Sequence, residues 1–215
     1  MIFKHCPICN SPIARNDFAC SSCIEKLRGD YFDNYMQRCP ECLYPVMGPE
    51  YICNFSEYKI LPISDYQSGF SKDILLNLKL FDKAEFAPIV AIPFNDYLPD
   101  DVTVVPVPCS NESFARRGWN HMDLVAKFLK KPVLNLIMRS DNNVQQKKLS
   151  KEERAANAAR EFVLNKSLAE KTDKNIHLYI IDDVLTTGST VKACIKLLKD
   201  AGFTEVGAMT WLCEF

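Results

Sequence analysis

Asp182-Asp183-Val184-Leu185-Thr186-Thr187-Gly188-Ser189-Thr190 places two adjacent carboxylates just ahead of four hydroxyls and one glycine. Hydroxyl groups and the unpaired N–H groups of a helix start form a cradle for a phosphate dianion. Gly188 lets the backbone approach such a ligand closely. The aspartates lie one strand end away, the span of a ribose from its 5′-phosphate. Side chains alternate along a strand, so one carboxylate can face a ligand while the other packs or reaches a metal. An ordinary capped helix after a buried strand is the simpler alternative. Two aspartates followed by Thr-Thr-Gly-x-Thr after the apolar run Leu178–Ile181 is too particular for it.

A second chemistry belongs to the cysteines. There are ten, and Cys6, Cys9, Cys20, Cys23, Cys39, Cys42 and Cys53 fall in the first 53 residues; Cys109, Cys194 and Cys213 lie elsewhere. Cys6-Pro7-Ile8-Cys9, ten residues and Cys20-Ser21-Ser22-Cys23 are echoed 33 positions on by Cys39-Pro40-Glu41-Cys42, ten residues and Cys53-Asn54-Phe55-Ser56. Two CxxC knuckles supply the four thiolates of a closed, structural zinc site. Cys6, Cys9, Cys20 and Cys23 are complete in this respect. Cys39, Cys42 and Cys53 have Ser56 where a fourth cysteine would stand, and His5 is the only nearby imidazole. Either the second copy has lost its metal, or the knuckles pair differently, for example Cys6 and Cys9 with Cys39 and Cys42. A segment of about 60 residues buries little core, so metal would supply folding energy there.

Cations form the third group. Val104-Val105-Pro106-Val107-Pro108 leads through Cys109 into Arg116-Arg117-Gly118-Trp119-Asn120. Arginine is suited to bidentate phosphate contact. Further on come Arg139, Lys147, Lys148 and Arg154. Between Arg139 and Arg160 six basic residues face three acidic ones, with no Gly or Pro, which reads as a mobile basic loop. Arg116, Arg117, Arg139, Lys147, Lys148 and Arg154 are therefore candidate contacts to diphosphate or DNA.

These groups need a scaffold. The 215 residues are 47% apolar and 25% charged, which excludes a disordered or fibrous chain. A net charge of -1 excludes a wholesale basic nucleic-acid binder but not a local basic patch. Val102–Val107, Val133–Met138, Leu178–Ile181 and Val206–Leu212 read as buried strands, and Glu57–Tyr66 as a strand and turn. Phe70–Phe94, Asn120–Leu129 and Ser189–Lys199 carry helical spacing, with Gly202 ending the last. The alternation implies an α/β domain with a mainly parallel sheet over residues 57–215, behind a zinc-ribbon domain over residues 1–56. Ligands of such sheets sit beyond the C-terminal strand ends, where both aspartates fall. The N-terminus lacks a secretory pattern. The longest apolar run, Phe86–Phe94, is about half of what a spanning helix needs. A cytoplasmic chain with metal-binding rather than disulfide-bonded cysteines is expected.

The Asp182–Thr190 segment resembles the 5-phosphoribosyl-1-diphosphate (PRPP) signature of type I phosphoribosyltransferases. The resemblance implies that Asp182 and Asp183 contact ribose hydroxyls directly or through magnesium, and that Thr186, Thr187, Gly188, Ser189 and Thr190 hold the 5′-phosphate. Thr186 stands where 6-oxopurine salvage enzymes carry an aspartate, which argues against hypoxanthine or guanine as acceptor. Taken whole, the zinc ribbon, the VPVP strand, the Arg-Arg-Gly-Trp-Asn segment, the Arg139…Gln146-x-x-Leu149…Arg154-x-x-Asn157…Phe162 stretch and the PRPP loop resemble the ComF/GntX family. This family is associated with natural competence. The resemblance implies handling of incoming single-stranded DNA, with PRPP as ligand or effector, at the inner face of the cytoplasmic membrane. Tyr31, Phe32, Tyr35 and Trp119 are candidate stacking aromatics, although aromatics more often belong to a core. An active phosphoribosyltransferase with an unknown acceptor, or a PRPP-sensing scaffold for a helicase or DNA channel, are the alternative roles. The chain departs from the family pattern at Cys109, Ser110, Ser113, Ala115, Ser56 and His121, the last replacing a usual glutamine.

Overall fold

A computed structural model describes residues 4–46, 53, 57–140 and 161–214. Ser56, Gln146, Lys147, Lys148, Arg154 and Asn157 lie outside the described residues.

The chain opens with a hairpin of β1 (Lys4–His5) and β2 (Pro12–Ile13), followed by α1 (Ser21–Gly29). β3 (Ile60–Asp65), α2 (Gly69–Lys79) and α3 (Ala87–Tyr97) come next. β4 (Thr103–Pro106), α4 (Asn111–Arg117), α5 (His121–Ala126) and β5 (Ile137–Arg139) follow. The described chain then runs through β6 (Phe162–Leu164), α6 (Lys166–Lys171), β7 (Leu178–Leu185), α7 (Ser189–Asp200) and β8 (Val206–Cys213).

The main sheet has the order β3-β8-β7-β4, and every pair in it is parallel. Its strands are near-continuous apolar runs because both faces are covered. On one face Ile63, Ile181, Met209 and Trp211 pack against α2, α3 and α5; on the other Ile60, Ile180 and Ala208 pack against α7. The α/β class with a parallel sheet is thus the one expected from the sequence. No helix among the described residues is long and apolar enough to cross a membrane. The Phe86–Phe94 run instead forms most of α3, whose Pro88 lies in the first turn and whose apolar residues are buried nearly all round.

The cysteine-rich segment shares this core. Leu27 and Tyr31 are buried with Phe94 and Trp211. Arg28 donates two hydrogen bonds, of 2.8 and 2.9 Å, to Asp96, which also accepts from the Tyr31 hydroxyl at 2.9 Å. The Cys42 carbonyl accepts from the Ile60 N–H at the start of β3.

Three sequence expectations need correction. The Val133–Met138 run is not a strand of the main sheet. Val133 makes one parallel bridge to Val104, then the chain leaves the sheet, and β5 pairs antiparallel with β6 in a separate ribbon. Val133 and Met138 are exposed while Leu136 and Ile137 are buried, so the run is apolar because it covers a sheet edge. The helical spacing of Phe70–Phe94 is broken into α2 and α3. Asp82 takes a left-handed conformation (φ 54°) between them, leaving Leu80 and Phe81 exposed. Finally, Cys20-x-x-Cys23 is the start of a helix, not a second knuckle: Cys20 is the N-cap of α1, whose buried face carries Cys23 and Leu27.

Candidate functional site

β7 carries both aspartates within the strand, and its partner β8 sets their register: Asp182 lies opposite Thr210. Alternation sends the two carboxylates to opposite faces of the sheet. Asp183 is buried on the side of α2 and α5, where one of its oxygens accepts from Lys79 Nζ at 2.5 Å and His121 Nε2 at 2.7 Å. Burial alone would raise its pKa, but His121 and Lys79 outweigh burial and hold Asp183 well below the usual carboxylate range. Burial likewise opposes the Lys79 charge, and Asp183 more than restores it, so the ammonium is raised.

Arg117 extends this network. Its Nη2 lies 3.4 Å from His121 Nδ1. Asp183 is therefore an anchor joining β7 to α2 and α5. Asp182, only partly buried, is left on the opposite face. Burial, and then the neighbouring Asp183 charge, push its pKa up to about 7. Thr210, its cross-strand neighbour, is fully buried, and its hydroxyl has no partner among the described residues.

Beyond β7 the chain makes a tight turn into α7. Gly188 is the N-cap at φ 73°, ψ 3°, a left-handed conformation that glycine adopts without penalty. Gly188 has no side chain to cap the helix, and Thr187 Oγ1 accepts from the Ser189 N–H at 3.4 Å. Thr187 Oγ1 and Ser189 Oγ lie 3.0 Å apart, and Thr186 and Thr187 are exposed. Hydroxyls from Thr186 to Thr190 thus surround the start of a helix of 12 residues, where the backbone favours negative charge.

The arginines divide. Arg139 lines a cavity of about 410 Å³ between the loop after β4 and the β5–β6 ribbon, with Cys109, Phe114, Asn120, Asn135 and Asn165. It is held there by Glu161 at 2.6 Å and lies over the Phe162 ring. Arg116 and Arg117 turn away, toward the C-terminus of α2. Arg116 pairs with Asp82 at 2.7 Å, and both arginines donate to the Lys79 carbonyl, at 3.0 and 3.2 Å. Of the candidate stacking aromatics, Tyr31 and Phe32 are core residues and Tyr35 is exposed. Trp119 is half-buried and lies beneath the Arg117 guanidinium. Sequence reasoning missed Lys79, because a lysine closing a helix carries no local signal. It named Asn120 only as the end of the Arg-Arg-Gly-Trp-Asn segment and gave it no role; Asn120 accepts from the Cys109 and Met122 N–H groups and donates to the Val107 carbonyl, fixing the loop after β4.

The cysteines gather in two clusters. The sulfurs of Cys6, Cys9, Cys20 and Cys23 all lie within 4.8 Å of one another, as do those of Cys39, Cys42 and Cys53. Each repeat keeps its own thiols, so the pairing of Cys6 and Cys9 with Cys39 and Cys42 does not occur. The Ser11 hydroxyl and backbone draw the Cys9 thiol down to about 6, while burial raises Cys23. Four sulfurs packed this closely repel one another as thiolates. A tetrahedral dication relieves that repulsion, so the donor set fits zinc.

No protein-family model matches the chain. It is 29% identical over 216 residues to "Competence protein F" of Haemophilus influenzae, covering 92% of this chain and 90% of that one. It is 28% identical to "DNA utilization protein YhgH" of Salmonella typhi, covering 94% and 93%. It is 30% identical to "Competence protein ComFC" of Bacillus subtilis, over 51% of this chain and 43% of that one. Similar solved structures include an adenine phosphoribosyl transferase from Trypanosoma brucei, with 15% identity, 89% and 79% coverage and a TM-score of 0.38. Another is an allosteric regulatory enzyme of purine biosynthesis, with 15% identity, 58% and 24% coverage and a TM-score of 0.40. The chain is thus similar, over most of its own length and of theirs, to curated competence and DNA-utilization proteins.

Proposed function

We propose that this protein binds PRPP with magnesium and handles incoming single-stranded DNA during natural transformation. The observation that carries the reading is the end of β7. A lone ligand-side carboxylate, Asp182, precedes a hydroxyl-rich helix start at Gly188. In this reading Thr186, Thr187, Gly188, Ser189 and Thr190 hold the 5′-phosphate and Asp182 meets the ribose. Asp183 supports the strand from behind. Magnesium, when bound, would neutralise the diphosphate. The competence and DNA-utilization names of the relatives supply the DNA half of the reading. Arg139 opens a stretch of sequence that is basic on balance and carries Lys147, Lys148 and Arg154, the candidate DNA contacts. Residues 1–56 act as a zinc-stabilised module against the phosphoribosyltransferase-like part, residues 57–215. The setting is the cytoplasm, at the inner face of the membrane, beside a helicase or DNA channel.

Filter binding of a single-stranded oligonucleotide, with and without PRPP·Mg²⁺, tests this directly. Phosphate contacts by the basic segment would make binding fall steeply with salt, with a log–log slope of about −0.7 per neutralised phosphate. Binding that ignores both salt and PRPP contradicts the proposal. The 410 Å³ cavity beside Arg139 favours a second reading, phosphoribosyl transfer to an acceptor seated there. Asparagine amides line it, and positioning and charge stabilisation would be the protein's contribution. Diphosphate release from PRPP on adding candidate acceptors supports that reading, and its absence across nucleobases and oligonucleotides removes it.

A further inference from the structure

A second cavity, of about 470 Å³, adjoins the one that Arg139 lines, and the two share Asp123 and Asn135 as walls. Both fall in the size range of small-molecule sites, roughly 300–1,000 Å³. One side comes from α5. Asp123 and Lys127, four residues apart, share a face of that helix, and Lys127 lines the second cavity. The other side comes from the chain as it leaves the main sheet. The Leu134 N–H donates to the Val104 carbonyl at 2.9 Å, which fixes Val133, Leu134 and Asn135 along the edge of β4. The trough therefore runs from Arg139, past a shared carboxyl and amide, to Lys127.

Its walls select an occupant. Large apolar side chains are exposed at eight places among the described residues, and three of these, Phe114, Val133 and Met138, line this trough. Such walls suit the flat faces of aromatic rings. The cations at the two ends suit phosphates, but the middle does not. There the partly buried carboxyl of Asp123 repels phosphate and accepts hydrogen bonds, while the Asn135 amide both donates and accepts. Burial raises the Asp123 pKa, so an N–H donor from a ligand would replace hydration that the carboxylate has lost. A cation, a pair of groups that can read a base, and a second cation match a strand whose bases are splayed out from its phosphates. Resting on the reading that the protein handles single-stranded DNA, we infer that this trough seats bases of the strand and prefers those with an exocyclic amine, cytosine and adenine, over thymine. The amine donates to Asp123, and the Asn135 amide donates to the neighbouring ring nitrogen. Thymine offers one ring N–H between two carbonyl oxygens, which a carboxylate repels. The Phe114 ring stacks on the base, and Arg139 and Lys127 meet the flanking phosphates.

The experiment uses the full chain as purified and the fluorescence anisotropy of labelled oligo(dC), oligo(dA) and oligo(dT) at one salt concentration. Wild type should bind oligo(dC) and oligo(dA) about tenfold more tightly than oligo(dT), a comparison that needs no variant to fold. Asp123→Leu should abolish that preference. Phe114→Ala, which trims an exposed side chain, should weaken all three oligonucleotides by about tenfold. The mononucleotide dCMP should compete far less well than oligo(dC), because it cannot meet both cations. Equal wild-type affinity for the three oligonucleotides, a preference that survives Asp123→Leu, wild-type affinity in Phe114→Ala, or dCMP competing as well as the strand overturns the base seat. A wild-type chain that binds none of the oligonucleotides overturns the DNA reading beneath it.

Discussion

Replacing Asp183 with asparagine should cost about 3 kcal/mol of folding stability, and replacing its neighbour Asp182 should cost almost nothing. Asp183 shares one oxygen between Lys79 at 2.5 Å and His121 at 2.7 Å, and its side chain is 7% exposed. Breaking one partner from a buried pair costs about 3–5 kcal/mol. The Lys79 side chain is 37% exposed, so its released ammonium rehydrates in part, which places the loss near the lower end of that range. Lys79→Met should cost about 2–3 kcal/mol, because Asp183 keeps the His121 bond but loses its counter-charge. The double variant should fall short of the sum by about 1–2 kcal/mol, the coupling of groups in one network. Asp182 has no such partner, and burial and Asp183 both oppose its charge. The assay is urea unfolding at neutral pH, with the slope m checked for constancy so that shifts in midpoint report stability. If Asp183→Asn stays within about 0.5 kcal/mol of wild type, a surface-like effect, the anchor is refuted. A loss from Asp182→Asn larger than that from Asp183→Asn refutes the division of roles between them.

Three further outcomes are expected. Because the folded Asp182 holds its proton up to about 7 while the unfolded residue releases it near pH 4, its contribution to stability should decline as pH rises across that window. Thermal melts from pH 4.5 to 8 should show a flatter profile for Asp182→Asn than for wild type; parallel profiles contradict this. Gly188→Ala places a side chain at φ 73°, which should cost about 1–2 kcal/mol in denaturant and weaken any phosphate ligand, whereas wild-type stability would argue against a fixed turn. At Gly207 an added Cβ would meet the Tyr179 ring at 3.0–3.3 Å. Gly207→Ala should therefore cost about 1–3 kcal/mol and leave ligand binding unchanged, since it lies on β8 beside the N-terminal end of β7; a loss of binding without loss of stability would be the wrong result.

Much of the fold was legible because parallel strands buried on both faces leave unbroken apolar runs, as in Val102–Val107 and Leu178–Ile181. The turn into α7 was legible for a different reason: Gly188 has a conformational meaning that does not depend on distant contacts. Val133–Met138 misled because apolarity reports burial, not pairing, and a ribbon across a sheet edge is as apolar as a strand within it. The break after Lys79 was hidden because Phe81 keeps the helical spacing of Ile74 and Leu78 while pointing to solvent. The anchor was least legible. Lys79, His121 and Asp183 come from three elements far apart in sequence, and only the packing of α2 and α5 against β7 joins them. The pairing of the thiols was likewise left open by spacing and is set by which turns face each other.

The central claim is that the end of β7 and the start of α7 form a phosphoribosyl site served by Asp182. Calorimetric titration of the zinc-containing protein with PRPP·Mg²⁺, alongside Asp182→Asn of matched stability, tests it most directly. One site per chain in wild type, lost in the variant while its unfolding curve is retained, is the predicted result. No heat of binding in wild type, or binding that the variant keeps unchanged, would contradict it.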